Sequence, residues 1–516
     1  MPISLKLPSL DDNPILLAET RPHKIAEFIQ NLPFGDPIRA AADLIDELQI
    51  LNSQKISFSN RFNALELYRP TANQIYQNLL PHFSIAGMPL SKNEQAFADI
   101  AVQLWQEMAY GYKFSLIDLQ NKILNINNSK VTAQVVQRAI QAIKEIALVY
   151  HLGYRSGPAS LWSELHQLYF CAVQQSAEKL HVTDALAINE ESSVNLIYTQ
   201  VLLMALADPQ HLANADILKT DLYLFNICNH AELRPLGLIE NPAGVFLVSL
   251  DSNKAPTPFA KNKELPDSKT DILLLTLSMA RLIHQHIKIL REGVLPNDGS
   301  LPADAFESHF EDLLTRLIKN FGRSPKRLFS RTKKSDGVEL GVGLLAAHQI
   351  LHDGNYATNK IGIAINAGKP SRWQVLNVSA GGCSLRKFSS SQTSAYIGDV
   401  VAIKNSNAAT WEIAVLRWAN VNTLSQLDIG LELISPNAST AIAKHEVSAV
   451  EGEALLLPEL SGLKQAASLL TARGFCKTDD IIVFTIERSI NKIMVTKLVE
   501  RTARFERFEY KIMLSI

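Results

Sequence analysis

Hydrophobic positions in the first 320 residues recur at helical spacing. Phe97, Ile100, Ala101, Leu104, Trp105 and Met108 fall on one face. They follow Ser91-Lys92-Asn93-Glu94, where a Ser hydroxyl and a Glu carboxylate three residues apart can satisfy free backbone N–H groups reciprocally. Val136, Ile140, Ile143 and Ala147 form a second stripe that stops near Gly153. A third helix is expected over Thr270–Glu292. A fourth carries Phe306, Phe310, Leu313, Leu314, Leu317 and Phe321 and ends at Gly322. Leu196–Ala207 and Ile272–Leu277 are too short or too interrupted to span a bilayer and read as buried helices. No repeat of fixed period runs through this region, so a helical solenoid is not supported. Gly244–Leu250 reads as a strand. Asp251–Ser268, with three prolines, reads as an exposed loop that either divides the helical region or decorates it.

After Gly322 the period changes to that of strands. Val338–Leu345, Trp373–Val378, Val400–Lys404, Trp411–Trp418 and Ile429–Ile434 are short β-rich runs separated by Gly, Asn, Ser and Asp clusters. Such a series predicts a small barrel. A further set follows at Ala454–Leu457, Ala467–Thr471, Ile481–Ile486, Lys492–Val499 and Phe505–Ile512. In the last of these, Phe508, Tyr510 and Ile512 alternate with charged residues, as in a half-buried strand. This set forms a second small barrel or extends the first.

Composition narrows the function classes. The 516 residues carry 50 Lys+Arg against 51 Asp+Glu, a net charge of -1. That balance argues against a protein that coats nucleic acid, which needs an excess of cations. The 47% hydrophobic content excludes a disordered chain. Four scattered cysteines, Cys171, Cys228, Cys383 and Cys476, suggest neither a zinc site nor a disulfide framework. No signal segment and no span of 18 apolar residues is read, so a cytoplasmic location without membrane insertion is expected.

The charge is unevenly placed. Arg323–Ile434 holds 13 Lys+Arg against 7 Asp+Glu, a net of +6, leaving -7 for the remainder. Its start, Arg323 to Lys334, has six cations and no acid, with two overlapping Arg-x-x-x-Arg pairs, Arg323/Arg327 and Arg327/Arg331. Guanidinium forks bind phosphate bidentately and can address guanine O6 and N7. Alone, the segment reads more readily as a solvated basic linker, because short motifs match often by chance. Further on, Asn377-Val378-Ser379-Ala380-Gly381-Gly382 joins two β-rich runs. Asn377 and Ser379, two apart on extended backbone, point to one side. Their amide and hydroxyl can read a base edge, and Gly382 permits close approach.

In this order the two elements resemble the PilZ domain, a bacterial cyclic di-GMP receptor module. That family carries Arg-x-x-x-Arg before its first strand and Asp/Asn-x-Ser-x-x-Gly between strands of a six-stranded barrel. Ile397-Gly398-Asp399-Val400-Val401 resembles the family's Gly-Asp turn. Ala414–Trp418 and Ile429–Leu433 resemble its last two strands. The stretch between Arg331 and Asn377 is longer than in the family, so Ala346–Lys369 is expected to insert a helix or hairpin. Asn377 stands where Asp is commoner.

The resemblance implies that Arg327 and Arg331 grip phosphates and guanine edges, with Arg323 as an auxiliary phosphate contact. The alternative register pairs Arg323 with Arg327. Asn377 and Ser379 would contact a guanine, and Gly382 would leave room for it. The expected fold class is a multidomain α+β protein, with a large mostly α-helical N-terminal region, a PilZ-like antiparallel β-barrel and a further β-rich C-terminal segment. The expected domains are 1–320, with an internal division near 235–268, then 323–436 and 437–516. The expected function is a non-enzymatic cyclic di-GMP receptor that needs no cofactor and regulates motility, pili or surface attachment. Ligand would order the Arg-rich linker and reposition the domains. A protein partner would dock on the helical region, and no nucleic-acid partner is expected. The competing reading is a nucleic-acid-binding or protein-interaction β-barrel that does not bind cyclic di-GMP. No phosphate loop, dinucleotide fingerprint or metalloprotease motif favours an enzyme. His284 and His286, two apart on a helix, cannot chelate one ion well.

Overall fold

The structure is a computed structural model. It describes residues 5–121, 128–187, 191–261, 266–307, 309–322, 330–353, 370–387, 394–406, 408–422, 426–486 and 489–515. The chain divides into two compact units. One comprises residues 1–86, 90–209 and 214–325, and the other comprises 326–516 with 87–89 and 210–213.

The first unit is built on helices α1 (Pro22–Gln30), α2 (Pro37–Asn52), α3 (Phe58–Leu79), α4 (Pro81–Ser84), α5 (Lys92–Gln120), α6 (Ser129–Leu152), α7 (Leu161–Gln174), α8 (Val194–Leu206), α9 (Asn214–Ile227), α10 (Leu277–Arg291) and α11 (Phe310–Gly322). Helix α5 opens with the expected reciprocal cap between Ser91 and Glu94. Its buried stripe, including Ala101, Leu104, Trp105 and Met108, faces the core, and α6 packs alongside. One charge pair is buried here with its bonds made. Arg69 holds Asp184 bidentately at 2.7 and 2.9 Å, and Gln137 donates to the same carboxylate. Such pairing is the condition on which ionised groups are tolerated in a core. Among the described residues no helix is long and apolar enough to cross a membrane.

Two helix expectations are corrected. Asp271–Leu275 is a strand, and only Leu277–Arg291 continues as a helix. It sits in a four-stranded antiparallel sheet formed by β3 (Glu232–Pro235), β6 (Asp271–Leu275), β4 (Val245–Ser249) and β5 (Thr257–Pro258), in that order. The run Ile272-Leu-Leu-Leu275 carries no period that separates strand from buried helix. Its cross-strand pairing to β3 and β4 decides the matter. Phe306 lies before α11 and is exposed, so that helix starts four residues later than its stripe implied. Two further two-residue strands, β1 (Val182–Thr183) and β2 (Glu191–Ser192), pair with each other.

The second unit holds two antiparallel barrels. The first uses β7 (Thr332–Lys333), β8 (Gly337–Val342), β9 (Ser371–Ser379), β10 (Gly382–Lys387), β11 (Val400–Asn405), β12 (Glu412–Val421) and β13 (Leu427–Ser435). The order β10-β13-β12-β11-β8-β9 closes on itself through the β9–β10 hairpin, and β7 adds to the free edge of β9. Helix α12 (Leu344–Asp353) follows β8, where the sequence expected an inserted helix or hairpin. Residues 354–369 lie outside the described residues.

The second barrel closes in the order β14-β15-β16-β19-β18-β17. These are Ser439–His445, Glu451–Leu457, Ser468–Ala472, Phe505–Ser515, Ser489–Arg501 and Ile481–Ile486, respectively. Strand β14 went unread in the sequence because its inward positions are alanines, Ala441 and Ala443, which carry little hydrophobic signal. In β19, Phe508 is buried but Ile512 is 65% exposed, so the inward alternation does not reach the strand's end. The two barrels share one core: Val400, Ala402, Ile413 and Val415 pack with Leu455, Leu457, Leu470 and Phe505, and Ala347 of α12 joins them. A polar clasp reinforces the junction. The Thr502 hydroxyl donates to the Gly398 carbonyl at 3.0 Å, and Arg504 pairs with buried Asp399 at 3.1 Å.

Candidate ligand site on the first barrel

The β9–β10 hairpin places the sequence-derived residues. Ser379 pairs with Gly382 across a two-residue turn, and Asn377 pairs with Ser384. Strand β10 is bonded on its other side to β13, with Gly382 opposite Glu432 and Ser384 opposite Gly430. The salt bridge of Arg386 to Asp428, at 2.6 and 2.7 Å, fixes that register. Strand β7 lays Lys333 opposite Asn377 and Thr332 opposite Val378, so Arg331 arrives beside the hairpin.

The outcome is an open cavity of about 260 Å³, lined by Arg331, Asn377, Ser379 and Gly382, with Arg417, Trp418 and Glu432 opposite. Larger cavities of about 340 Å³ lie in the helical unit, but they gather none of these residues. Arg323 and Arg327 lie outside the described residues. The choice between the two arginine registers therefore has no structural reading.

Each element of the cavity has a physical reason. The Ser379 hydroxyl donates to the Gly382 carbonyl at 3.2 Å and holds the turn. A Cβ on Gly382 would meet the Leu431 carbonyl oxygen at 2.0 Å, so no side chain fits without moving β13. Gly430 serves Trp418 in the same way, since a Cβ there would lie 1.7 Å from the indole nitrogen. The Asn377 amide makes no side-chain hydrogen bond among the described residues, and Arg331 is exposed. Both are available to an incoming group. Burial, with Glu412 adding to it, pushes the Cys383 thiol up to about 12, so that part of the wall is neutral.

The sequence reading did not single out Arg417, Trp418 and Glu432 as site residues. A bulge in β12, where the register with β13 shifts between Leu416 and Trp418, turns Arg417 and Trp418 toward the cavity. Arg417 pairs with Glu432 at 2.6 Å and with Glu500 of β18. Burial opposes its charge, but the hydrogen bonds and charges of Glu500 and Glu432 outweigh it and hold the guanidinium firmly protonated. The signal was present in the sequence, an Arg-Trp pair directly after the apolar run Ile413–Leu416. What made it part of a site is the bulge, which no local pattern announces.

His286 is buried between Tyr223 and Asp298 while His284 is exposed, so the two face apart as their spacing required. Among the described residues no group of His, Cys, Asp and Glu could hold a metal ion.

Comparison with known proteins follows the same organisation. A family model described as the N-terminal domain of the cyclic-di-GMP receptor FimW matches residues 23–236. A model described as the middle PilZ domain of that receptor matches 364–440, and one for the FimW C-terminal beta-barrel domain matches 440–513. The middle match takes in Asn377, Ser379, Gly382 and Arg417, and begins after Arg331. The cyclic-di-GMP receptor FimW of Pseudomonas aeruginosa is 22% identical to this chain, across 99% of it and 93% of the relative. With all three matches in order along one chain, and with the closed barrel bearing the hairpin just described, the chain belongs to the PilZ-domain receptor family.

Proposed function

We propose that this protein is a non-enzymatic cyclic di-GMP receptor whose ligand occupies the cavity of the first barrel. The observation that carries this reading is that Arg331, Asn377, Ser379 and Gly382, chosen from the sequence alone, line one cavity. In this reading Arg331 and Arg327 bind phosphate and guanine edges as guanidinium forks, with Arg323 auxiliary. The Asn377 amide and Ser379 hydroxyl address a guanine that approaches over Gly382. The working organisation is a helical region, 1–320, a ligand-binding barrel, 323–436, and a second barrel, 437–516. Ligand orders the Arg-rich segment, and the helical region, which docks a protein partner, is repositioned. The location is cytoplasmic, no cofactor is needed, and the regulated process is motility, pili or surface attachment.

The competing reading, a barrel that binds nucleic acid by stacking, would have to rest on Trp418 alone of the two tryptophans near the hairpin. Trp373 is fully buried, with its indole N–H donated to Ser371 at 2.8 Å, and cannot offer a stacking face. The two readings separate by salt dependence. Raising salt from 50 to 200 mM weakens polyanion binding by about 10³–10⁵-fold where six to ten phosphates are held. Retained cyclic di-GMP binding over that range, with single-stranded DNA and RNA bound weakly or not at all, supports the receptor. The reverse pattern overturns it.

A further inference from the structure

The cavity holds one cation that already has partners, and those partners lie on different barrels. Arg417 reaches Glu432 across the β12–β13 ladder and Glu500 in β18 of the second barrel. Glu500 faces Arg507 across the β18–β19 ladder. Arg507 is nearly buried, and its Nε has no hydrogen-bond partner. Arg507 and Arg417 lie in the field of the same carboxylates, Glu500 and Glu432, with Glu509 also acting on Arg507; burial, with Arg417 adding to it, outweighs them at Arg507 and lowers its pKa, whereas they prevail at Arg417. Arg417, Glu432, Glu500 and Arg507 thus form a linked chain of charges from the ligand cavity to the second barrel, with the Arg507 Nε left open.

A ligand with two phosphates in this cavity changes that balance. It sets negative charge beside Glu432, which also lines the cavity, and it competes for the Arg417 fork. We propose that Arg417 is a phosphate-contacting residue, and that ligand occupancy is passed to the second barrel by an exchange of salt-bridge partners. Arg417 turns from Glu500 to the ligand, and the open Nε of Arg507 takes Glu500. Because Glu500 and Arg507 lie on the paired strands β18 and β19, the exchange tightens that pair. The ligand signal then reaches the second barrel directly, beside its route through the Arg-rich segment to the helical region. This inference rests on the cyclic di-GMP reading above.

The test uses the full chain, with calorimetric titration against cyclic di-GMP and amide hydrogen exchange of residues 489–515. The wild type is expected to bind, and its β18–β19 exchange to slow with ligand. Arg417→Ala should weaken binding about tenfold or more. Arg417→Lys keeps the charge but not the fork, guards against a folding defect in the alanine variant, and should also bind more weakly. Glu500→Gln releases Arg417, so it should bind several-fold tighter and lose the ligand-dependent slowing. A wild type that binds no cyclic di-GMP overturns the receptor reading itself. A wild type that binds, with Arg417→Ala and Arg417→Lys binding equally well, overturns the role of Arg417. Unchanged affinity and retained slowing in Glu500→Gln overturn the exchange.

Discussion

The carbonyl oxygen of Leu431 lies 2.0 Å from where a side chain on Gly382 would begin. The clash is with backbone of a central strand, so it cannot be relieved by a rotamer change. Gly382→Ala must push β10 away from β13 at the turn that carries Ser379. We expect a loss of about 1–3 kcal/mol of stability, the usual range for forcing extra volume into packed structure. Cyclic di-GMP binding should fall with it. Thermal unfolding and titration of the same preparation check both expectations.

Arg331 offers the complementary case. It is exposed, and its hold on the fold is small. Arg331→Ala should leave stability within about 0.5 kcal/mol of wild type, as surface substitutions usually do. Loss of a charge-assisted bond to phosphate is worth about 1.5–3 kcal/mol, so affinity should drop by about ten- to a hundredfold. Equal affinity in variant and wild type would remove Arg331 from the site.

The buried pair of Arg69 and Asp184 gives a pH dependence. Burial raises the Asp184 carboxyl, but the Arg69 bonds and the Arg69 and Arg138 charges outweigh it, and the net shift is below the ordinary value of 3.8. A depressed carboxyl stabilises the fold wherever the unfolded group is ionised. That contribution is therefore complete above 3.8 and is lost as pH falls through the lower folded value. Denaturant titrations of wild type and Asp184→Asn should show the wild type more stable at pH 7, with the gap closing below that point. Arg69→Ala leaves the buried carboxylate the Arg138 ion pair at 3.3 Å and the Gln137 donor, and should cost up to about 3–5 kcal/mol at pH 7.

Legibility followed physical signal strength. The stripe of α5 and its Ser91–Glu94 cap were readable because period and capping chemistry agree over many residues. Strand β6 was not, since an apolar run between Asp271 and Thr276 has no period, and its partners, β3 and β4, are distant in sequence. Strand β14 hid behind alanines. In the site, Asn377, Ser379 and Gly382 were legible because they fall within six residues whose spacing sets their geometry. Arg417 was not, because its place in the cavity depends on a bulge in β12 and on a carboxylate in another barrel.

The receptor function requires that the amide of Asn377 and its neighbours form a nucleotide site. Isothermal titration of cyclic di-GMP into the full chain and into Asn377→Ala measures this. Saturable binding by the wild type, micromolar or tighter, is expected, with at least about tenfold weaker binding by the variant, in keeping with a guanine-directed hydrogen bond lost from a partly buried site. No binding by the wild type, or equal binding by both, would contradict the receptor function.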